Sequence, residues 1–216
     1  MDRLVHDLRE PLRSINVFAE LLQESSHGRL DPGAGQYLAE IRRGAARVQT
    51  LLEGLAGYSM ALREASAAPA STSLESALKI VLANMDERIR SNEAIVTAGG
   101  LPRVALSLER AMQLFEQLIA NSLRFRSEAA PVIQITAAEE DGGMWAIRVQ
   151  DNGIGIFPEH HEAVFRPFVR VEGKKYQGAG MGLAICRKIV EAHGGEIRMS
   201  SAPDGGVICT FTLPEA

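Results

Sequence analysis

The feature that most constrains the fold is an apolar seam in the first third of the chain. Along it, hydrophobic residues recur mainly at alternating intervals of three and four. The seam runs through two segments, which are separated by turn-forming residues at 25–28 and 31–33. This spacing is typical of helices that pack along a narrow coiled-coil stripe. The seam comprises Val5, Leu8, Leu12, Ile15, Ala19, Leu22, Ile41, Ala45, Val48, Leu52, Leu55 and Leu62, with Ser59 filling one position.

The pattern predicts an antiparallel helical hairpin over residues 1–63. The break between the two segments contains Ser-Ser-His-Gly and Asp-Pro-Gly, which end helices and form turns. A lone hairpin buries little apolar surface, and four-helix packing is the usual solution. We therefore expect two copies of the hairpin to associate as a homodimer with a four-helix bundle.

The pattern changes after a stretch of small and polar residues at 64–73, which contains a central Pro and reads as a linker. Residues 74–216 then mix helical and strand patterns, which indicates an α+β two-layer sandwich with helices on one face. Ser107 is the expected N-cap of the middle helix, and Asp-Gly-Gly at 141–143 is the expected hairpin turn. Helices are predicted at 74–90, 107–126 and 181–193, strands at 94–98, 132–135, 145–149, 196–200 and 206–213, and a long loop at 152–179.

Composition excludes several function classes. The net charge of −4 gives no general electrostatic reason to bind nucleic acid or an anionic membrane. Cys186 and Cys209 are far apart in sequence and suggest neither a disulfide framework nor a zinc site. The sequence has no apolar run long enough to span a membrane, and its first residues lack the apolar core of a signal peptide. We expect a cytoplasmic chain without direct membrane contact, whose parent protein is either soluble or membrane-attached.

The first candidate for chemistry is His6, which lies beside the seam of the first helix and is followed by Asp7. A neutral imidazole is a competent nucleophile, and an adjacent carboxylate can orient it and accept its proton. Pro11 removes a backbone hydrogen bond to the carbonyl of Asp7, so the helix should loosen there. Taken alone, this cluster favours an ordinary surface histidine, and Pro11 by itself is also typical of a helix start.

The second cluster is Gln117 and Asn121, four residues apart and hence on one helix face. Amide oxygens can coordinate Mg²⁺ when water and phosphate fill the remaining positions. Arg124 and Arg126 add positive charge one turn further on. Without further context, the same residues describe an ordinary polar helix face.

Two glycine clusters follow. Asp151 opens the first, at 151–156, directly after a predicted strand, and its carboxylate can accept a hydrogen bond from an exocyclic amine such as that of adenine. The second, at 178–183, opens a helix whose free N–H groups can face phosphate. It fits neither the Walker A pattern nor the dinucleotide fingerprint. The charged segment between them, which contains Phe165, Phe168, Arg170, Lys174 and Lys175, is a candidate lid.

Taken together and in this order, these segments resemble the sensor histidine kinases of two-component systems. Residues 6–12 resemble the H box, 117–125 the N box, 151–156 and 178–183 the two glycine boxes, and 165–168 the F box. The sequences at 9–12, 123–126 and 182–195 are most similar to the phytochrome-type branch. The resemblance covers nearly the whole chain.

The resemblance implies a fold and an activity. The fold is a dimerisation and phosphotransfer hairpin at 1–63, a linker at 64–73, and a catalytic domain of the GHKL, or Bergerat, ATP-binding type at 74–216. The activity is ATP-dependent autophosphorylation of His6, followed by phosphoryl transfer to an Asp of a response-regulator receiver domain. The family's roles also imply Mg²⁺ as cofactor. They imply an upstream sensor domain too, which we expect to be missing from this chain, since only five residues precede His6.

The resemblance also implies residue roles. His6 would accept the phosphoryl group, Asp7 would be its base, and Arg170 would approach the γ-phosphate. Asn121 would bind Mg²⁺, with Gln117 near a metal-bound water, and Asp151 would recognise the adenine amine. The remaining nucleotide-binding residues would be Arg124, Phe125, Gly153, Gly155, Phe168, Gly178, Gly180, Met181, Gly182 and Leu183.

Two departures from the family pattern carry expectations. Gln117 stands where many members have Asn, which should change how a metal-bound water is held without abolishing nucleotide binding. Glu10 stands where members with strong phosphatase activity have Thr or Asn. A carboxylate donates no hydrogen bond to water and repels an aspartyl phosphate, so we expect weak phosphatase activity.

Two alternatives stay open on the sequence alone. One is a non-catalytic dimeric scaffold that binds nucleotide and signals by contact, which Gln117 and the short N-terminus allow. The other is an ATPase of the chaperone or gyrase type. Such enzymes need a carboxylate four residues before Asn121, where this chain has Gln117, and they have no use for the His-Asp hairpin.

Overall fold

A computed structural model describes residues 2–26, 31–63, 71–171, 179–203 and 205–216. Its first two elements are long helices, α1 (Asp2–Ser25) and α2 (Pro32–Arg63), which pack against each other. The side chain of Arg42 in α2 donates a hydrogen bond of 2.7 Å to Gln23 in α1. The predicted helical hairpin is thus confirmed.

A single chain buries only part of the predicted seam. Ala19, Ala45, Leu52 and Ser59 are buried. Other large apolar side chains of the hairpin are exposed, among them the seam residues Leu8, Ile15, Leu22, Ile41 and Val48. The hairpin therefore presents a substantial apolar surface that its own chain does not cover.

The second part of the chain is built on a mixed sheet. The strands are β1 (Ser71–Ser73), β2 (Ile95–Gly99), β3 (Arg103–Ala105), β4 (Val132–Glu140), β5 (Met144–Asp151), β6 (Ile197–Ser201) and β7 (Val207–Pro214). Five of them form the mixed sheet in the order β2-β4-β5-β7-β6, with β2 parallel to β4 and the other neighbours antiparallel. A separate antiparallel pair is formed by β1 and β3.

Helices cover one face of this sheet, as the sequence predicts. In β4, the buried Ile133 and Ile135 alternate with exposed residues, so only one face of this strand enters the core. Ser107 caps the middle helix by accepting a hydrogen bond from the backbone N–H of Arg110 at 3.3 Å. The helices of this part are α3 (Leu74–Asn84), α4 (Asp86–Ser91), α5 (Leu108–Arg124) and α6 (Gly182–Ala192).

Three sequence predictions are corrected. The linker does not extend to residue 73, because Ser71–Ser73 form β1 and pair with β3, which the sequence pattern did not reveal; residues 64–70 lie outside the described residues. The helix predicted at 74–90 is two helices, since Met85 leaves helical geometry and its side chain is buried. The predicted loop contains two short 3₁₀ helices, Pro158–His160 and Ala163–Phe165.

None of the described helices combines the length and hydropathy that crossing a bilayer requires.

Candidate functional site

A cavity of about 380 Å³ lies between the sheet, α5, α6 and α2. Its volume is in the range of sites for small molecules. Most of the residues predicted from the motifs line it, although they come from separate parts of the sequence. These residues are Gln117, Asn121, Arg124, Phe125, Asp151, Gly155, Arg170, Gly180, Met181, Gly182 and Leu183.

Asp151, the last residue of β5, is held by three hydrogen-bond donors. Its Oδ1 accepts from the backbone N–H of Gly153 at 3.0 Å and of Val207 at 3.3 Å. Its Oδ2 accepts from the hydroxyl of Ser122 in α5 at 2.8 Å. These three bonds fix the orientation of the carboxylate. The carboxylate lines the cavity as a ready acceptor.

The turn between β6 and β7 closes tightly on Asp151. Gly206 has a φ of +83°, and a Cβ at this position would lie 2.0 Å from the carbonyl oxygen of Asp151. Gly153 is also confined, since its Cβ would lie 2.5 Å from the carbonyl oxygen of Phe125. Both positions therefore require glycine. Gly153 shapes the backbone next to the cavity but does not line the cavity itself.

The wall beside Asp151 is apolar. Val149, Ile156, Met199 and Cys209 line it. Burial, together with the negative charge of Asp151, raises the pKa of Cys209 to about 12, so its thiol stays protonated at neutral pH. A carboxylate beside an apolar wall suits a flat heterocycle with an amino group.

The opposite part of the cavity brings the amide pair to the start of α6. A Cβ on Gly182 would lie 2.6 Å from Oε1 of Gln117 and 3.8 Å from Nδ2 of Asn121. The two amide side chains therefore face the N-terminal end of α6, where free N–H groups favour anions. Among the residues that the structure describes, no three His, Cys, Asp or Glu side chains form a metal-binding group.

Positive charge gathers at the same part of the cavity. Arg124 and Arg170 both line it. Burial and the nearby guanidinium groups of Arg88 and Arg170 lower the pKa of Arg124. Like charges placed together in this way attract a multiply charged anion such as a triphosphate.

Phe168, within the predicted lid segment, is bonded to Gly180 of the second glycine cluster. The backbone N–H of Phe168 donates to the carbonyl of Gly180 at 2.9 Å. Phe168 has a φ of +64°, unusual for an aromatic residue, and its half-exposed ring is not on the cavity wall. Gly178, Lys174 and Lys175 lie outside the described residues.

Arg187 of α6 fastens the F-box segment to this helix. Its guanidinium makes two hydrogen bonds to the carboxylate of Glu162, at 2.6 and 2.9 Å, and lies 4.5 Å from the centre of the Phe165 ring. The pair raises the pKa of Arg187 and lowers that of Glu162. The segment that carries Phe165 is thus positioned by α6, whose first residues line the cavity.

Helix α2 of the hairpin supplies a further wall, which sequence reasoning missed. Thr50, Glu53, Gly54 and Gly57 line the cavity. A Cβ on Gly54 would lie 2.7 Å from Cγ and 2.9 Å from Cβ of Met181, and one on Gly57 would lie 3.2 Å from Cδ1 of Ile185. These two glycines form a notch, which we call the α2 notch, that receives the start of α6.

Replacing Gly54 by Ala should separate α2 from α6. The new methyl group meets the base of the Met181 side chain, and such overpacking costs about 1–3 kcal/mol. Hydrogen–deuterium exchange of peptides that cover residues 181–186 should become about tenfold faster, which corresponds to about 1.4 kcal/mol. Gly44 in the same helix has nothing within 4 Å of a Cβ, so Gly44→Ala is the matched control. Equal exchange in both variants would contradict the role of the notch.

The backbone of His6 lies near this wall. Because α1 and α2 are antiparallel and Gln23 meets Arg42, the start of α1 lies beside the last third of α2. That part of α2 carries Glu53, Gly54 and Gly57. The side chains of His6 and Asp7 lie outside the described residues.

Ser122, Val207 and Cys209 also belong to the site and were not predicted. Ser122 follows Asn121 directly, but its residue type suggested only a helix position. Val207 acts through its backbone N–H, for which the sequence gives no signal. The glycines before it, Gly205 and Gly206, marked a turn but not its contact with Asp151.

Comparison with known families agrees with this geometry. Residues 1–61 match the "His Kinase A (phospho-acceptor) domain". Residues 107–216 match the "Histidine kinase-, DNA gyrase B-, and HSP90-like ATPase" family, which covers more than half of the chain.

Curated relatives include phytochromes. The chain is 39% identical to cyanobacterial phytochrome A from Nostoc sp. over 97% of its own length, which is 27% of that protein. It is 34% identical to the phytochrome-like protein Cph1 from Synechocystis sp., again over 97% of the chain and 28% of that protein. The chain thus spans about a quarter of the length of these relatives. The expected likeness to the phytochrome-type branch is confirmed.

Solved structures share the fold. Full-length ShkA in complex with AMPPNP matches 100% of this chain and 45% of its own, with a TM-score of 0.73 and 25% identity. The histidine kinase ThkA in complex with the response regulator protein TrrA matches 99% of this chain and 61% of its own, with a TM-score of 0.66 and 22% identity. The second likeness supports the fold alone.

Proposed function

Since this chain belongs to the histidine kinases, we propose that it uses ATP to phosphorylate His6 and passes the phosphoryl group to an Asp of a response-regulator receiver domain. The observation that carries the proposal is the wall of the cavity. The cavity, which suits a nucleotide, is bounded by α2. The part of α2 that bounds it lies next to the backbone of His6. The part of the hairpin that carries His6 therefore borders the cavity.

The nucleotide would lie with its base against Asp151 and its phosphates toward α6. Asp151 would accept a hydrogen bond from the adenine amine, and the apolar wall would cover the ring. Arg124 and Arg170 would offset the negative charge of the phosphates. Arg170 is the cation that we assign to the reacting γ-phosphate.

Transfer is a substitution at the γ-phosphorus. A ring nitrogen of His6 forms the new N–P bond while the bond to the bridging oxygen breaks and ADP leaves. Asp7 takes the imidazole proton. The backbone N–H groups at the start of α6, together with Arg124 and Arg170, hold the γ-phosphate in place. Such positioning and charge stabilisation is the main catalytic contribution expected for phosphoryl transfer.

Mg²⁺ fits the chemistry of the donor set. The cavity offers the amide side chains of Asn121 and Gln117 and no cluster of carboxylates among its described residues. Such a site suits an ion that keeps its waters and is held largely by substrate phosphates. Asn121 would bind the ion directly and Gln117 would hold one of its waters. When bound, Mg²⁺ neutralises phosphate charge.

The remaining residues of the proposed site shape the loops around the phosphates. We retain Phe125, Gly155, Gly180, Met181 and Leu183 as nucleotide contacts because they line the cavity. Gly153 and Phe168 do not line the cavity, and we assign them to shaping the neighbouring loops.

We also propose the domain division and the assembly. Residues 1–63 are the dimerisation and phosphotransfer hairpin, and the catalytic domain begins with β1 rather than at residue 74. The hairpin's exposed apolar residues would be covered by a second copy in a four-helix bundle. The free thiols of Cys186 and Cys209 and the need for ATP support a cytoplasmic location.

The test is to incubate the chain with γ-labelled ATP and Mg²⁺ and then add a receiver domain. We expect acid-labile, base-stable label on the chain, followed by its loss to the receiver. ATP binding without label would favour the non-catalytic scaffold. Steady release of phosphate without labelled protein would favour the chaperone or gyrase type of ATPase.

Glu10 offers a test of the reverse activity. Glu10 is exposed on α1, one helical turn after His6. Exchange for Thr removes a charge that repels an aspartyl phosphate and adds a hydroxyl that can orient water. Dephosphorylation of a phosphorylated receiver should become about tenfold faster. Glu20→Thr, at another exposed position of α1, controls for the change in helix propensity. Rapid dephosphorylation by the unaltered chain would contradict the prediction.

A further inference from the structure

Ser122 occupies a special position between the helix that carries Asn121 and the strand that ends at Asp151. Its side chain is buried, with 5% of the residue exposed, and it lines the cavity. Its hydroxyl has two acceptors within reach: Oδ2 of Asp151 at 2.8 Å and the carbonyl oxygen of Leu118 at 3.3 Å. A hydroxyl has one hydrogen to donate, and the shorter, charge-assisted bond to the carboxylate is the stronger.

The hydrogen bonds of Asp151 leave one acceptor position open. Its Oδ1 receives two backbone N–H groups, from Gly153 and Val207, and these use both lone pairs of that oxygen. Among the residues that the structure describes, its Oδ2 receives only the Ser122 hydroxyl. One lone pair of Oδ2 is therefore left for a donor in the cavity.

We infer that Ser122 is a positioning residue for base recognition, which fixes Oδ2 of Asp151 as the acceptor of the 6-amino group of a purine nucleotide. The inference rests on the proposed function, because it presumes that the cavity binds ATP. The backbone bonds to Oδ1 hold one oxygen, and the bond from Ser122 prevents rotation of the carboxylate about its Cβ–Cγ bond. The remaining lone pair of Oδ2 therefore points in a fixed direction.

The same bond selects against a 6-oxo purine. The carbonyl of such a base would face Oδ2, so that two acceptors would meet without a hydrogen between them. Ser122 could donate to the carbonyl only by leaving Asp151. Because the Ser122 hydroxyl donates to the carboxylate, it contributes to selectivity for a 6-amino purine without contacting the base.

The test compares ATP with purine riboside triphosphate, which lacks the 6-amino group, in the full chain and its Ser122→Ala variant. Binding of each nucleotide is measured by calorimetry. The variant should bind ATP about tenfold more weakly, and purine riboside triphosphate within about twofold of the unaltered chain. In autophosphorylation, KM for ATP should rise while kcat is unchanged, because the bond acts on the base rather than on the γ-phosphate.

Two further variants sharpen the comparison. Ser122→Thr keeps the hydroxyl and should restore most of the discrimination between the two nucleotides. In an Asp151→Asn background, Ser122→Ala should add little to the loss of ATP affinity, because both changes remove the same interaction.

The outcomes separate the inference from the proposed function. Equal weakening of both nucleotides in Ser122→Ala, or unchanged binding of ATP, would overturn the role of Ser122 while the kinase proposal stands. If the unaltered chain bound neither nucleotide, the proposed function would fail, and the inference with it.

Discussion

Replacement of His6 by Ala should abolish incorporation of label from γ-labelled ATP, with a loss of at least about a thousandfold. Alanine has no nucleophilic atom, so no N–P bond can form. ATP affinity should stay within about twofold, since none of the described residues on the wall of the cavity comes from α1. The measurement pairs acid-labile label with calorimetric binding of ATP.

A second histidine provides the matched control for this experiment. His160 is partly exposed at the end of the short 3₁₀ helix Pro158–His160. His160→Ala removes an imidazole from the same chain and should keep full labelling. Substantial label in His6→Ala would show that another residue accepts the phosphoryl group. Loss of both label and ATP binding would show that the substitution damages the fold.

The local chemistry of the sequence predicted much of this molecule. The seam spacing predicted the hairpin because helix packing follows from side-chain periodicity. Ser107 predicted the start of α5 because an N-cap needs only a side chain and a backbone three residues apart. Asp151 and the glycines were identified from motifs, and the structure brings Asp151 to the cavity wall.

The contacts that the sequence did not predict join distant segments. Ser122 donates a hydrogen bond to Asp151, twenty-nine positions away, and the residue type of Ser122 alone does not predict this partner. From the sequence, Gly54 and Gly57 are ordinary helix residues. In the structure they pack against Met181 and Ile185, which lie much later in the chain. Short strands such as β1 are equally difficult to predict, because three residues are too few to show the hydrophobic periodicity of a strand.

Replacement of Asp151 by Asn should lower the affinity for ATP by about 100-fold while leaving the fold intact. Three donors surround the carboxylate, from Ser122, Gly153 and Val207. The amide oxygen of Asn can keep the two backbone donors at the Oδ1 position. Its NH₂ group then stands at the Oδ2 position, where it faces the adenine amine as a second donor.

The fold should tolerate this exchange because Ser122 has an alternative partner. Its hydroxyl can turn to the carbonyl oxygen of Leu118, 3.3 Å away, and accept a hydrogen bond from the new NH₂ group. No buried donor is then left without an acceptor in the free protein, so the thermal midpoint should change by no more than a few degrees.

The control for Asp151→Asn is Asp141→Asn, which removes the same charge at an exposed turn between β4 and β5. It should leave ATP binding unchanged. The affinity for inosine triphosphate, whose 6-oxo group accepts a hydrogen bond, should fall less than that for ATP in Asp151→Asn, because the new NH₂ group can donate to it. Equal losses for the two nucleotides would mean that Asp151 supports the pocket without recognising the base.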